Sequence, residues 1–174
     1  MCGVFGVLHD PSLDFNIKEF ERLVSKLEKR GPDSLNSYEF LLENLVLKFG
    51  HTRLSILDLE ETGNQPMHST SGRFSIIYNG EIYNHLDLRQ KLDSTTSYPW
   101  KGTSDTETLL ALFENYSVSQ VLNKLDGMFS FILFDDRKKE LIIARDFSGE
   151  KPLYISTSNN VCWLVSCTKI TFCT

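Results

Sequence analysis

The stretch "FSFILFDDRKKELIIARD", residues 129–146, decides the fold. Two runs of aromatic, β-branched and other apolar residues flank a charged turn, and the spacing predicts strands at 129–135 and 140–145 paired as an antiparallel hairpin. Similar short runs at 3–8, 37–42, 45–49, 73–78 and 153–156 add five further strands, each bounded by turn signals.

Helices fall between groups of these strands. Asn16 precedes Ile17, Phe20, Leu23, Val24 and Leu27, which share one face at 3.6 residues per turn. Asn16 and Glu19 have capping-box spacing, Phe15 and Phe20 have staple spacing, and "KRGPDS" ends the helix with basic residues, Gly31 and Pro32. A second helix opens at "SDTETLLALFENY", where Ser104 and Glu107 have capping-box spacing and Leu109, Leu112, Phe113 and Tyr116 form the apolar stripe. A third is predicted from Val118, Val121, Leu122 and Leu125, ending at Asp126-Gly127. Strand groups separated by helices, without strict alternation, predict an α+β domain with mostly antiparallel sheets.

The 174 residues are 41% hydrophobic and 24% charged, enough to bury one core. The net charge of -5 and the lack of a basic stripe argue against a nucleic-acid partner. The N-terminus has no basic, long-apolar leader pattern and no stretch is long enough to span a bilayer, so no membrane association and a cytoplasmic location are expected. The cysteines, Cys2, Cys162, Cys167 and Cys173, lack paired CxxC spacing, so free thiols and no bound metal are expected.

Four places carry candidate chemistry. Methionine removal is favoured before a small residue, and it would leave the Cys2 thiol beside a free α-amine able to act as its general base. Alone, Cys2 reads more simply as a small packed residue. Arg53, in "GHTRLSILDL", has no local acid and offers a planar fork for a carboxylate, or for a surface ion pair. Asn79-Gly80, in "YNGEIYNH", could turn a side-chain amide and a backbone N–H toward one point, as an oxyanion hole requires, or could simply be a turn. Asp105, at the start of the second helix, could meet a substrate ammonium or serve the helix end. Arg30 and Asp33, in "RGPDS", are read as a structural stop and turn.

In combination these segments resemble one family. "MCGVFGV", "RGPDS", "GHTRLSILDL", "GNQPM", "YNGEIYNH", "SDTETLL", "LDGMFSFILFD" and "ARDFSGEKPLY" resemble, in order and approximate spacing, the class II glutamine amidotransferase domain of glutamine-hydrolysing asparagine synthetases. The resemblance implies a four-layer αββα sandwich of the N-terminal-nucleophile type over residues 2–156. It implies Cys2 as nucleophile toward glutamine, Asn79 and Gly80 as the oxyanion hole, and glutamate and ammonia as products. Substrate contacts are implied at Arg53, Leu54, Ser55, Ile56, Leu57, Asn79, Gly80, Glu81 and Asp105, with Arg53 on the α-carboxylate and Glu81 and Asp105 on the α-ammonium.

The family's ATP-using synthetase portion is not expected here, because neither an "SGGxDS"-type loop nor a GxxxxGK[ST] motif occurs. No cofactor is therefore expected on this chain, ATP and magnesium belonging to that portion. Residues 157–174 depart from the family pattern and are expected to form an atypical C-terminal segment. Three readings follow: a glutaminase feeding a separate synthetase chain, a catalytically silent fragment, or a glutamine-binding module. A homodimer is left open.

Overall fold

A computed structural model describes residues 1–167. Among them the elements run β1 (Gly3–His9), α1 (Ile17–Val24), a 3-10 turn (Ser25–Arg30), β2 (Ser34–Leu41), β3 (Val46–Arg53), β4 (Met67–His68) and β5 (Phe74–Ile82). They continue with α2 (His85–Asp93), α3 (Asp105–Asn115), α4 (Val118–Leu122), β6 (Gly127–Asp135), β7 (Glu140–Arg145), β8 (Tyr154–Ser158) and β9 (Val161–Val165). One sheet has the order β2-β3-β1-β9-β8 and the other β4-β5-β6-β7, with every described pairing antiparallel.

The 129–146 hairpin is present, with Asp135 opposite Glu140. Asp135 holds the turn by accepting from the Arg137 and Lys138 N–H groups at 3.1 and 3.2 Å, and Arg73 grips the same carboxylate through two hydrogen bonds. Strand β6 lacks polar alternation because both of its faces are covered. Phe129, Phe131 and Leu133 pack in the cluster that includes α2, α3 and α4 side chains, while Ile132 and Phe134 pack with Val4, Leu47, Phe49, Ile77 and Leu164 between the sheets. On the far face of the five-stranded sheet, Phe5 and Val7 meet Phe20, Val24 and Leu27. The expected four-layer αββα arrangement is thus built from strand side chains alternating between two adjoining cores.

The caps at α1 match expectation: Asn16 and Glu19 make both capping-box bonds, and the Phe15 and Phe20 rings meet edge to face at 6.2 Å. At α3 the box is only half formed. Ser104 caps the Glu107 N–H, but the Glu107 carboxylate turns to the Lys101 and Gly102 N–H groups and to Arg89, which bind it more fully than one N–H could.

Several features differ from the sequence reading. The first helix relaxes into the 3-10 turn after Val24, and α4 ends at Leu122. The helix α2 has no counterpart in the sequence reading: its buried side chains, His85, Leu88 and Leu92, make only a narrow apolar stripe, and Asn84 uses its side chain to bridge Lys124 O and the Asp126 N–H instead of capping the helix. The boundary expected at residue 156 falls inside β8, and β9 lies between β8 and β1 with Phe5 opposite Val165. Ser166 follows β9 and joins Val4 by two hydrogen bonds. The described part of 157–174 is therefore integral to the sheet, while Cys173 lies outside the described residues.

Candidate active site

Cys2 enters β1 from a position fixed on three sides. The Leu54 N–H points at its Sγ at 3.5 Å, the thiol approaches Leu54 O at 3.8 Å, and Arg30 Nε donates to the Cys2 carbonyl at 3.2 Å. Arg30, read from sequence as a turn residue, therefore anchors the Cys2 backbone. The glycine that follows is sterically required, since a Cβ at Gly3 would collide with Thr52 Oγ1 and Leu27 Cβ. Burial pushes the Cys2 thiol up; the Leu54 N–H, the chain's terminal ammonium and Arg53 offset this only in part.

Cys2 opens on a cavity of about 180 Å³ that is also lined by Arg53, Leu54, Ile56, Leu57, Asn79, Gly80, Glu81 and Asp105. Nine of the ten residues expected at the site are thus brought to one place. Ser55 is the exception: it does not line the cavity, and its N–H donates to Asp33 Oδ2 at 2.7 Å, pinning the chain after β3 to the "RGPDS" turn.

Asn79 and Gly80 lie near the end of β5. Asn79 is 2% exposed and its Nδ2 has no hydrogen-bond partner among the described residues, a costly arrangement for a buried donor unless a ligand completes it. The direction of the Gly80 N–H follows from the ladder. Its opposite, Phe129, exchanges bonds with Asp146 on the β7 side, so Gly80 and Phe129 form a non-hydrogen-bonded pair. The Gly80 N–H therefore points away from β6, on the side where the Tyr78 and Ile82 N–H groups meet Gln65 Oε1 and Asp105 Oδ2 at 2.6 and 3.0 Å. Between those two satisfied donors, no acceptor among the described residues meets Gly80. A side chain here is excluded because a Cβ would collide with the Met128 carbonyl and the Phe129 backbone.

Behind this edge His51, fully buried on β3, bonds Tyr78 O through Nε2 at 3.1 Å and ties the two sheets together. Burial lowers its pKa to about 4, so the neutral ring donates one proton and carries no charge into the core.

Arg53 is held differently from the sequence expectation of a free fork. Nη1 donates to Glu60 O at 2.8 Å and Asn64 Oδ1 at 3.1 Å, and Nη2 donates to Leu57 O at 3.2 Å and to Asp58 O. Four of the five guanidinium N–H groups thus fold the 57–64 loop against the cavity, while Nε–H has no acceptor among the described residues. Asp58 extends the brace by accepting from the Thr103 N–H at 2.8 Å, just ahead of α3.

Asp105 opens α3 and is 5% exposed. Its Oδ2 accepts from Tyr78 OH at 2.7 Å and from the Ile82 N–H, while Oδ1 accepts no bond among the described residues. Sequence reasoning missed Gln65, Tyr78 and Lys151, which also line the cavity. Gln65 and Tyr78 lie within "GNQPM" and "YNGEIYNH", but their partners are distant in sequence. Lys151 is 7% exposed, and its ammonium has no ion-pair partner among the described residues.

Two stacked antiparallel sheets between helices, with Cys2 at the mouth of a cavity between them, make an α+β sandwich of the N-terminal-nucleophile fold type. The chain belongs to the glutamine amidotransferase domain family, which matches residues 1–171. It is 36% identical over 170 residues to asparagine synthetase [glutamine-hydrolyzing] 1 of Bacillus subtilis, covering 95% of this chain and 26% of that protein. It is 35% identical over 170 residues to the amidase chry2 of Gibberella zeae, covering 92% of this chain and 25% of that one. The chain thus spans about a quarter of the length of these relatives. Its fold matches glutamine phosphoribosylpyrophosphate amidotransferase of B. subtilis with a TM-score of 0.78 at 22% identity, over 95% of this chain and 42% of that one. No helix among the described residues is long and apolar enough to cross a membrane.

Proposed function

We propose that this chain hydrolyses glutamine to glutamate and ammonia through a Cys2 thioester, as the glutaminase portion of asparagine biosynthesis. The observation that carries the reading is the buried, unpartnered Nδ2 of Asn79 in the cavity that Cys2 opens on. After loss of Met1, the Cys2 α-amine takes the thiol proton and sulfur attacks the side-chain amide carbon. Asn79 Nδ2 and the Gly80 N–H hold the resulting oxyanion. The C–N bond then breaks as the ammonium returns its proton to the departing nitrogen, releasing ammonia. Water adds to the thioester, the C–S bond breaks, and glutamate leaves with the thiol restored. Asp105 Oδ1 and Glu81 receive the α-ammonium, and Arg53 faces the α-carboxylate with Nε–H while bracing the 57–64 loop.

No group on this path requires a cofactor. We place the reaction in the cytoplasm, in keeping with Cys2, Cys162 and Cys167 being free thiols. The ammonia passes to a synthetase active site. Ile56 and Leu59, both exposed on the segment walling the cavity, offer apolar surface for the synthetase portion or for a second copy of this chain.

Intact-mass measurement alongside glutamate release from the same preparation tests the proposal. Loss of Met1 together with glutamate release is expected; retained methionine and no glutamate would sink it. Arg53→Ala should raise KM for glutamine by at least about tenfold, the cost of losing a charged hydrogen-bonding group, and should expose the 57–64 loop to protease. Arg53→Lys should recover little, because one ammonium cannot replace a fork shared among four acceptors. Steady-state kinetics and limited proteolysis of both variants would check this.

A further inference from the structure

Asp105 needs more than its presence at the cavity to recognise an ammonium group. A carboxylate whose two oxygens swing freely offers a poorly defined acceptor, whereas one fixed oxygen leaves the other aimed. Here Oδ2 is fixed by two donors from one strand, Tyr78 OH at 2.7 Å and the Ile82 N–H at 3.0 Å. The Tyr78 ring is 3% exposed and packed in the helix-side core of β5, so its hydroxyl cannot wander. The strand is locked in turn, since the Tyr78 N–H donates to Gln65 Oε1 and Gln65 Nε2 donates to Thr106 Oγ1, one residue past Asp105. Strand, phenol, carboxylate and helix start thereby close a ring that leaves Oδ1 as Asp105's acceptor for a ligand.

We infer that Tyr78 is a positioning residue that sets selectivity for substrates bearing an α-ammonium group, by fixing Oδ2 of Asp105 so that Oδ1 faces the cavity. The inference rests on the glutaminase reading for the identity of the ligand. Its chemistry predicts a selective defect. Without the phenol, Oδ2 keeps one donor of two, and the carboxylate can rotate away from the ligand. A ligand without the ammonium group loses nothing by this.

The test measures binding, and so does not depend on turnover. In the full chain carrying Cys2→Ala, dissociation constants for glutamine and for glutaramic acid, the same skeleton without the α-amine, are measured by calorimetry with and without Tyr78→Phe. Tyr78→Phe should weaken glutamine about tenfold, the worth of one hydrogen bond to a charged group, and shift glutaramic acid by less than about twofold. Asp105→Asn should remove the preference for glutamine, and adding Tyr78→Phe to it should change the preference no further. Equal weakening of both ligands by Tyr78→Phe, an unchanged preference, additive effects with Asp105→Asn, or no glutamine binding at all would each overturn the inference. If glutamine binding shows the expected pattern while the unsubstituted chain releases no glutamate, the positioning role stands and the glutaminase reading fails.

Discussion

Cys2→Ala is expected to lower glutamate release from glutamine by at least about 10⁴-fold while leaving glutamine binding in place, because removing a covalent nucleophile removes the reaction path and not the pocket. The thiol contributes little to the walls that would hold the substrate, which come from β5, the 57–64 loop and the start of α3. Burial raises the thiol pKa despite the Leu54 N–H and the terminal ammonium, so the sulfur carries its proton at neutral pH and needs a base at the moment of attack. In the proposed mechanism the amine freed by loss of Met1 is that base, and it can accept a proton only when itself unprotonated. Activity of the processed chain should therefore rise with pH through about 7.7–8.0, the ordinary range of an α-amino group, and fall below it. A coupled glutamate assay across that range, on unsubstituted and Cys2→Ala chains, reads both effects. Substantial glutamate release by Cys2→Ala would remove the thioester from the mechanism.

The features legible in the sequence are those set by short-range patterns. The β6–β7 hairpin shows because two apolar runs meet across a charged turn, and α1 shows because Asn16 and Glu19 cap each other within four residues. The helix α2 is faint in the sequence because its buried side chains, His85, Leu88 and Leu92, make only a narrow apolar stripe. Strand β9 was hidden because "VCWLV" departs from the family pattern while remaining apolar enough to lie between β1 and β8. The site divides in the same way. Cys2, Asn79, Gly80 and Asp105 sit in motifs whose residue types announce their chemistry. Tyr78 acquires meaning only through a bond to Asp105, 27 residues on, and Ser55, absent from the cavity lining, gives its N–H to Asp33, 22 residues back. Arg53 has the expected location, but its bracing of the 57–64 loop is not legible, because three of its four acceptors are backbone carbonyls that no side-chain pattern reveals.

Asn79→Ala should lower kcat for glutamine by about 10²–10³ with KM changed by less than about threefold, the mark of a donor used in the transition state and little in the ground state. The structure makes this separation of effects physically reasonable. Among the described residues Nδ2 is buried without a partner, so the folded chain already bears the desolvation cost of that donor, and in the proposed mechanism the developing oxyanion recovers it. The Gly80 N–H provides the second donor from the same strand edge and survives the substitution, which limits the loss to the value of one contact. The same orphaned donor gives a second readout. Because alanine removes an unsatisfied buried amide, Asn79→Ala should cost less in unfolding free energy than truncation of a satisfied buried polar group, and urea denaturation should find it close to the unsubstituted chain, within about 1 kcal/mol. A variant as stable as its parent, unimpaired in glutamine binding and slow in turnover would place Asn79 at the reacting carbonyl. Equal losses of kcat and stability would instead make it a structural residue, and unchanged turnover would remove the oxyanion hole from this edge of β5.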